Sequence, residues 1–330
     1  MVNSHNPQLS VVVVIVSDTT DARGDVSHLA GNLEALTQQI NPPPMEVVVP
    51  YHLRVEGIEE LKRRFPTVVF IPVNDLKTFT GQGGSREHHD ELRARGLAAA
   101  RGEIIGLLED HARPDPYWCA RMVEAHQQSY AAVGGAIENG IDRLLNWAVY
   151  FCDFGKYQNP VAEGESPFVS DANVSYKRSA LESIRPVWQE SFHETAVNWA
   201  LISRGEKLAL SPRIIVYQHR GQLRLGSALK ERFVWGRSYA GTRSKLVRGS
   251  KRMFYAALSP LLPAVLLLRM AVNVMKKGRC VGAFLKAFPL TTMLTASWSL
   301  GELIGYLTAR ANRSGALVGE PIACARAGDH

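Results

Sequence analysis

Short apolar runs alternate with amphipathic segments along the first third of the chain. The run from Leu9 to Val16 is continuous and rich in β-branched residues, which is typical of a strand buried on both faces. Residues 28–39 then place Leu29, Leu33 and Leu36 at helical spacing. A strand followed by a helix, repeated along the chain, predicts an α/β fold with a mostly parallel sheet.

The same alternation continues as far as Leu108. Further strands are predicted over residues 46–49, 67–72 and 103–108, and further helices over residues 58–65 and 86–100. Gly102 is expected to close the second of these helices as a C-cap. Asp115 followed by Pro116 is an N-cap signature that predicts a helix reaching Ser129.

Length and composition indicate an ordered chain. With 330 residues, the chain can hold one domain of about 200 to 250 residues and an appended module. A hydrophobic fraction of 46% and a charged fraction of 21% are ordinary for folded proteins and argue against wholesale disorder.

Charge and cysteine usage indicate a partner and a compartment. Lys and Arg are concentrated between Lys230 and Lys286, which predicts an anionic partner for that region. No recognised nucleic-acid-binding motif accompanies them, so lipid is favoured over nucleic acid.

The cysteines have neither disulfide-like nor zinc-like spacing, and the apolar run near the N-terminus has no basic region before it. We therefore expect the main domain to lie in the cytoplasm.

The stretch GLLEDHARP ends a buried strand on three chemically active residues. Glu109 and His111 are two apart at the strand end, so their side chains should point the same way while Asp110 faces elsewhere. A carboxylate and an imidazole on one face suit a divalent first-row metal, with imidazole favouring manganese over magnesium. The alternative is a solvated acidic turn in which Asp110 binds the loop backbone.

The surrounding sequence supports the metal interpretation. RARGLAAARGEIIGLLEDHARPDPYW resembles the segment of family 2 glycosyltransferases, of GT-A fold, that runs from an arginine-bearing helix into the DxD metal motif. SDANVSYKRSAL resembles the acceptor-side segment of that family, and HETAVNWALISRGEKLALSPRIIVYQH resembles its catalytic-base helix and following strand. The resemblance extends loosely over residues 9–219 and implies a Rossmann-like, mostly parallel sheet flanked by helices.

The resemblance also implies a role for individual residues. Glu109 and His111 fall on the first and last positions of the metal motif, and His219 falls near the metal and diphosphate. Nucleotide-sugar contacts are implied for Asp18, Arg93 and Asp110, with Arg95 as the substitute for Arg93. The resemblance places Asp171 and Asn173 on the acceptor side and makes Glu194 the catalytic base. Thr195 stands where the family has its aspartate base, and Pro50 and Tyr51 stand where it has an acidic nucleotide contact.

Local pattern offers alternatives for two of these residues. Ser191 and Glu194 form an S-x-x-E capping box, so Glu194 could simply cap a helix running to Ser203 with Gly205 at its end. His219 ends the strand predicted over residues 213–217, where a histidine is more often a surface or hydrogen-bonded residue.

Two apolar stretches near the C-terminus predict membrane association. Residues 254–268 contain Pro260 and Pro263 and are short for a span, whereas residues 287–309 are long enough. Basic residues on both sides of the first stretch favour re-entrant or interfacial helices over a two-span hairpin. The alternative is a soluble helical pair packed on the sheet. The predicted organisation is a GT-A domain over residues 1–222, a basic and hydrophobic helical region over 223–310, and a disordered tail over 311–330.

These observations combine into one functional expectation. The sequence predicts an inverting, metal-dependent glycosyltransferase that uses Mn²⁺ or Mg²⁺. It would move a sugar from a nucleotide-diphosphate sugar to a hydroxyl of a lipid-linked or glycan acceptor, at the cytoplasmic face of the inner membrane. The alternatives are a non-catalytic nucleotide-sugar-binding or scaffold protein at the membrane, and a nucleotidyltransferase, which would need an N-terminal glycine-rich signature that SDTTDARGD does not supply.

Overall fold

A computed structural model describes residues 7–16, 26–77, 86–221, 223–244 and 247–309 of the chain. Asp18, the glycine-rich loop at residues 81–84 and the predicted disordered tail at residues 311–330 lie outside these ranges.

A mixed sheet of nine strands forms the centre of the described structure, in the order β3-β2-β1-β4-β8-β6-β9-β5, with β7 paired to β9. The strands are β1 Leu9–Val14, β2 Met45–His52, β3 Val69–Val73, β4 Ile104–Glu109, β5 Ala112–Pro114, β6 Ala132–Asn139, β7 Gly164–Glu165, β8 Asn173–Lys177 and β9 Leu208–Gln218. β1 to β4 are mutually parallel, as predicted. β8 runs antiparallel to both β4 and β6, a reversal that the alternation pattern does not predict.

Helices cover both faces of this sheet and then continue as a C-terminal group. They are α1 Ser27–Thr37, α2 Ile58–Arg64, α3 Arg86–Ala99, α4 Trp118–Ala125, α5 Leu144–Asp153, α6 Arg178–Ser183, α7 Arg185–Trp188, α8 Glu194–Ser203, α9 Leu225–Ser244, α10 Gly249–Leu258, α11 Leu262–Lys277 and α12 Val281–Thr308. The predicted bounds of α8 are confirmed, and Gly205 has the left-handed φ of +81° that suits its place after this helix.

Three sequence predictions about helix ends are wrong. α4 begins at Trp118 with Tyr117 as its N-cap, instead of the predicted N-cap Asp115, and it ends at Ala125 instead of Ser129. The next residue, His126, is buried with its ring 2.8 Å from the Ser175 hydroxyl. Gly102 does not have the positive φ that a left-handed C-cap requires. A Cβ at that position would lie 2.8 Å from the Leu9 carbonyl carbon, so its hydrogen side chain allows close contact with β1 instead of a left-handed cap.

Alternate residues of β1 enter the cores on the two faces of the sheet. Val11, Val13 and Ile15 pack with α1 and α4 on one face, and Val12 and Val14 pack with α3 and α8 on the other. The strand is therefore buried on both faces, as predicted from its continuous apolar run.

The pairing of β8 with β4 determines what surrounds the end of β4. Leu108 lies opposite Asn173 in an antiparallel register, so the turn before β8 meets the residues that follow β4. This pairing brings Asp171 into the neighbourhood of Glu109, although the two residues are far apart in sequence.

The C-terminal helices form a layered group beside α5. α12 packs against α9 and α5, and Gly236, Gly301 and Gly305 allow the backbones of α9 and α12 to approach closely. The helix that contains the end of the first apolar stretch continues past Leu268, since α11 reaches Lys277 and closes at Gly278 with a φ of +63°. By length and composition alone, the segment Gly249–Lys277 could cross a membrane, and it is the single such segment within the described ranges.

Candidate active site

Glu109 and His111 share one face at the end of β4, as predicted. Glu109 is the last residue of the strand, and its Oε2 lies 3.2 Å from Nε2 of His111. This imidazole nitrogen is buried and has no hydrogen bond of acceptable geometry among the described residues. Two ligands of one octahedral cation at about 2.1 Å are themselves about 3.0 Å apart, so the pair has the spacing of adjacent metal ligands.

Asp110 does not join the face that Glu109 and His111 share, as predicted, and it lies behind the His111 ring. Its carboxylate is fully buried, and Oδ1 accepts a hydrogen bond from the backbone N–H of Val16 at 3.0 Å. The same oxygen lies 3.4 Å from Nδ1 of His111. A carboxylate behind a histidine fixes the ring and leaves its other nitrogen free to bind a metal. Asp110 therefore has a positioning role here, and its contact with a nucleotide sugar stays a prediction.

Arg93 lies at the centre of the acidic residues. Its side chain is 4% exposed and lies 3.0 Å from Asp90, 3.1 Å from Asp171 and 3.5 Å from Glu109. Although burial alone would lower the pKa of Arg93, Asp171, Asp90 and Glu109 raise it above its usual value. The predicted nucleotide contact of Arg93 thus stays a prediction, while the structure uses its charge to hold carboxylates together.

Glu194 does not form the predicted capping box. The N-cap of α8 is His193, and no side-chain cap bond is present. Instead, Oε2 of Glu194 accepts the backbone N–H of Asp171 at 3.0 Å, and Asn198 one turn later donates to the Val169 carbonyl at 3.0 Å. Burial, and then the charge of Asp171, raise the pKa of Glu194 to about 8.

His219 lies next to His111 without completing a metal cluster. Its backbone N–H donates to the His111 carbonyl at 2.8 Å, and its half-buried ring packs over Gly140. Burial and the nearby charges of Arg113 and His111 lower the pKa of His219. Within the described ranges, no group of three or more His, Cys, Asp or Glu side chains could hold a metal ion. The structure thus assembles a two-residue ligand pair, and His219 as a third ligand stays a prediction.

Two other predicted contacts fall outside this cluster. Asn173 is fully buried, and its amide accepts a hydrogen bond from Trp118 at 2.9 Å and donates to the carbonyls of Ala136 and Ile214. In the structure this side chain ties strands to α4, and the acceptor-side role of Asn173 stays a prediction. Arg95 is on the outer side of α3, 2.8 Å from the exposed Asp75.

Several residues of the site were not predicted from the sequence. Asp90, one turn before Arg93, could have been inferred from its i, i+3 spacing. Tyr157 and Gln218 carry no comparable signal. The Tyr157 hydroxyl is buried without a hydrogen-bond partner among the described residues; burial and then the charges of Glu194 and Asp171 raise its pKa above its usual value. Gln218 donates to Oε2 of Glu109 at 3.5 Å.

This fold and this site define a class of protein. Residues 85–185, which contain Arg93, Glu109, His111 and Asp171, match the model of glycosyl transferase family 2. The resemblance of this segment to family 2 glycosyltransferases is thereby confirmed, and the segment lies on a GT-A fold. No curated protein matches the sequence.

A solved structure with the same fold extends the likeness beyond the matched segment. It is the mannosyltransferase PcManGT from Pyrobaculum calidifontis in complex with GDP-Man and Mn²⁺, with a TM-score of 0.50 and 14% sequence identity. The alignment covers 92% of this chain and 88% of that chain, so the C-terminal helices are included in large part. At this identity, the likeness establishes the fold.

Proposed function

We propose that the protein is an inverting, metal-dependent glycosyltransferase that uses a nucleotide-diphosphate sugar and acts at a membrane. The observation that carries the proposal is the pair Glu109 and His111, 3.2 Å apart at the end of β4 inside the segment that matches family 2. PcManGT, which has the same fold, was solved with GDP-Man and Mn²⁺.

Glu109 and His111 fit the requirements of a divalent cation. The pair offers one carboxylate oxygen and one imidazole nitrogen that Asp110 holds in place. Magnesium-type cations are commonly held by one or two protein ligands together with substrate phosphates. When bound, the cation would be held by Glu109, His111 and the donor diphosphate, and it would neutralise the negative charge that develops on the departing diphosphate.

Glu194 is the proposed base, and burial together with the charge of Asp171 raises its pKa. In a single displacement, the acceptor oxygen forms a bond to C1 of the donor sugar while the bond from C1 to the diphosphate oxygen breaks. The acceptor proton passes to the Glu194 carboxylate, and the nucleoside diphosphate leaves. Arg93 pairs with Asp171 at 3.1 Å, which stabilises the ionised form of Asp171 beside Glu194.

A membrane-bound acceptor at the cytoplasmic face is part of the same proposal. The free cysteines Cys119, Cys152 and Cys280 suit a reducing compartment. The C-terminal helices expose many large apolar side chains beside basic residues, as expected of a protein whose lipid-linked substrate resides in a bilayer.

The first test is metal-dependent turnover. Full-length protein, incubated with Mn²⁺, a panel of nucleotide-diphosphate sugars and a membrane extract as acceptor, should transfer or hydrolyse at least one donor. EDTA should abolish this turnover, and added Mn²⁺ should restore it. Glu109→Gln should raise the Mn²⁺ concentration needed for half-maximal rate at least about 10-fold, since one of the two protein ligands loses its charge.

The control for this test is Glu124→Gln, which changes an exposed carboxylate paired with Arg213 far from the ligand pair. It should keep the wild-type metal requirement. Calorimetry separates the alternatives: binding of a nucleotide sugar without turnover would identify a non-catalytic binding protein, and the absence of both binding and turnover would overturn the proposal.

The second test is the pH dependence of turnover. A base must be ionised to accept a proton, so kcat/KM should rise with pH and level off above a pKa of about 8, the value for Glu194. Asp171→Asn removes the neighbouring negative charge that raises this pKa. The rising limb of this variant should therefore shift to lower pH by about one unit or more.

The matched control is Glu163→Gln, an exposed carboxylate whose loss should leave the limb in place. An Asp171→Asn profile superimposable on the wild-type profile would show that Glu194 is not the titrating base.

A further inference from the structure

A stripe of apolar side chains runs along the outer face of α10 and α11. The stripe consists of Phe254, Leu258, Leu261, Val265, Leu268, Val272 and Met275. Its members recur every three or four residues, so they share one face of the helices. Their exposed fractions run from 42% at Leu258 to 67% at Met275, so the described protein leaves the whole apolar stripe uncovered.

α12 widens this surface. Its exposed large apolar residues are Leu285, Phe288, Met293, Leu300 and Leu307. α10 and α11 both pack against α12, so the exposed apolar residues of the three helices belong to one helical group. Monomeric soluble proteins rarely expose a contiguous apolar patch beyond a few hundred Å², and larger ones mark sites of interaction with proteins or membranes.

The charges around this surface select an anionic partner. The basic residues of the range 247–309 are Arg248, Lys251, Arg252, Arg269, Lys276, Lys277, Arg279 and Lys286. The one acidic residue in the same range is Glu302, which is buried and accepts a hydrogen bond from Trp298 at 2.6 Å. A second copy of the chain would bring like charges together along the apolar stripe, whereas an anionic bilayer supplies both hydrocarbon and negative headgroups.

The position of α9 decides how the helices meet that bilayer. At the middle of α12, the Ser297 hydroxyl donates to the Leu229 carbonyl of α9 at 2.7 Å. The next residues of α9 are Lys230, which is exposed, and Arg232, whose guanidinium is paired with Asp153 at 2.5 Å. If α12 crossed the membrane, these charged groups would be drawn towards the bilayer centre, where burial of charge is unfavourable.

We propose that the apolar stripe and the outer side of α12 insert into one leaflet of an anionic bilayer, with α10 and α11 lying in the plane of the interface. The segment Gly249–Lys277 is long enough to cross, but it packs against α12, which also packs against α9 and α5. The proposal concerns the mode of membrane binding and does not depend on glycosyl transfer.

The end of α11 connects this surface to the site. Asn273 donates to the Gly155 carbonyl at 2.7 Å, and Lys277 donates to the Lys156 carbonyl at 3.0 Å. These bonds hold the short 3₁₀ helix that carries Tyr157, whose pKa is raised by burial and then by the charge of Glu194. Insertion of α11 would therefore fix the carboxylate site at a defined height above the leaflet.

The first experiment measures binding of full-length protein to vesicles. Vesicles of phosphatidylcholine with phosphatidylglycerol should bind the protein at least about 10-fold more tightly than phosphatidylcholine alone, with the difference lost at high salt. The double variant Leu261→Asp/Leu268→Asp should weaken binding about 100-fold or more, because two inserted leucines are lost. Both residues are more than 60% exposed, so the fold should tolerate the change.

The matched control is Leu53→Asp, which alters an apolar residue that is 56% exposed before α2 and should bind vesicles as the wild type does. Equal loss of binding in this control, or unchanged binding of the double variant, would overturn the proposal. Self-association in solution that the double variant abolishes, without vesicle binding by the wild type, would assign the stripe to a second copy.

The second experiment separates lying in the interface from crossing. A spin-labelled non-canonical residue is placed in turn at Phe254, Leu261, Leu268 and Met275, and its depth is measured by power saturation. An interfacial segment predicts similar depths of about 5 to 10 Å for all four labels. A profile with the middle two labels at the bilayer centre and the outer two at opposite surfaces would show that the segment crosses.

Discussion

Replacement of Glu194 by Gln is expected to lower kcat for sugar transfer by about 10² to 10⁴, with little change in donor affinity. The amide is nearly isosteric and can still accept the Asp171 backbone N–H, which the wild-type carboxylate accepts at 3.0 Å. It cannot take the acceptor proton. The measurement is steady-state kinetics at saturating donor and metal, with calorimetry of donor binding alongside.

Glu190→Gln is the control for this substitution, because Glu190 is an exposed carboxylate just before α8 that pairs with Lys77 at 3.2 Å. It should retain full activity. A wild-type kcat in Glu194→Gln would remove Glu194 from catalysis and leave Asp171 as the carboxylate able to act as base. If Glu194→Gln lowered the free energy of unfolding together with kcat, its bond to the Asp171 backbone would instead be structural.

The sequence predicted the local parts of the site well. Glu109 and His111 share a face because alternation along a strand is a local property, and the continuous apolar run before them identifies the strand. Glu194 was also found at the start of its helix, but local pattern alone favoured a capping role. The observed bond runs to Asp171, a residue on another element, and a contact of this kind has no local signature.

The parts that were missed depend on pairing between distant segments. β8 inserts antiparallel between β4 and β6, and this register carries Asp171 to Arg93. An alternating strand-helix pattern predicts parallel neighbours and gives no reason for that insertion. The structural contact of Asn173 was not predicted for the same reason, because it depends on the register opposite Leu108, which brings its side chain to Trp118.

The C-terminal helices were predicted in character but not in arrangement. The first apolar stretch was predicted to be short for a span and to be interrupted by Pro260 and Pro263, yet Pro263 lies in the first turn of α11, where proline is tolerated. The apolar stripe therefore continues past Arg269 to Met275. Which face of α12 would remain uncovered could be known only once α9 was seen to pack against it.

Replacement of Arg93 by Met is expected to destabilise the protein by about 3 to 5 kcal/mol near neutral pH. Asp90, Asp171 and Glu109 all lie within 3.5 Å of the guanidinium, and their side chains are 7%, 12% and 14% exposed. Without Arg93 these carboxylates repel one another in a poorly hydrated site. Urea unfolding in the absence of metal measures the loss, and Mn²⁺ should recover part of it by binding Glu109.

Arg95→Met is the matched control two residues along the same helix. Its guanidinium is 42% exposed and pairs with Asp75, which is 72% exposed, at 2.8 Å. Solvent screens such a pair, so its loss should cost no more than about 1 kcal/mol. Equal losses in the two variants would show that Arg93 contributes only a helix-surface ion pair. A large loss of unfolding free energy in Arg93→Met alone would mean that the Arg93 guanidinium allows three carboxylates to share one site before any donor or metal binds.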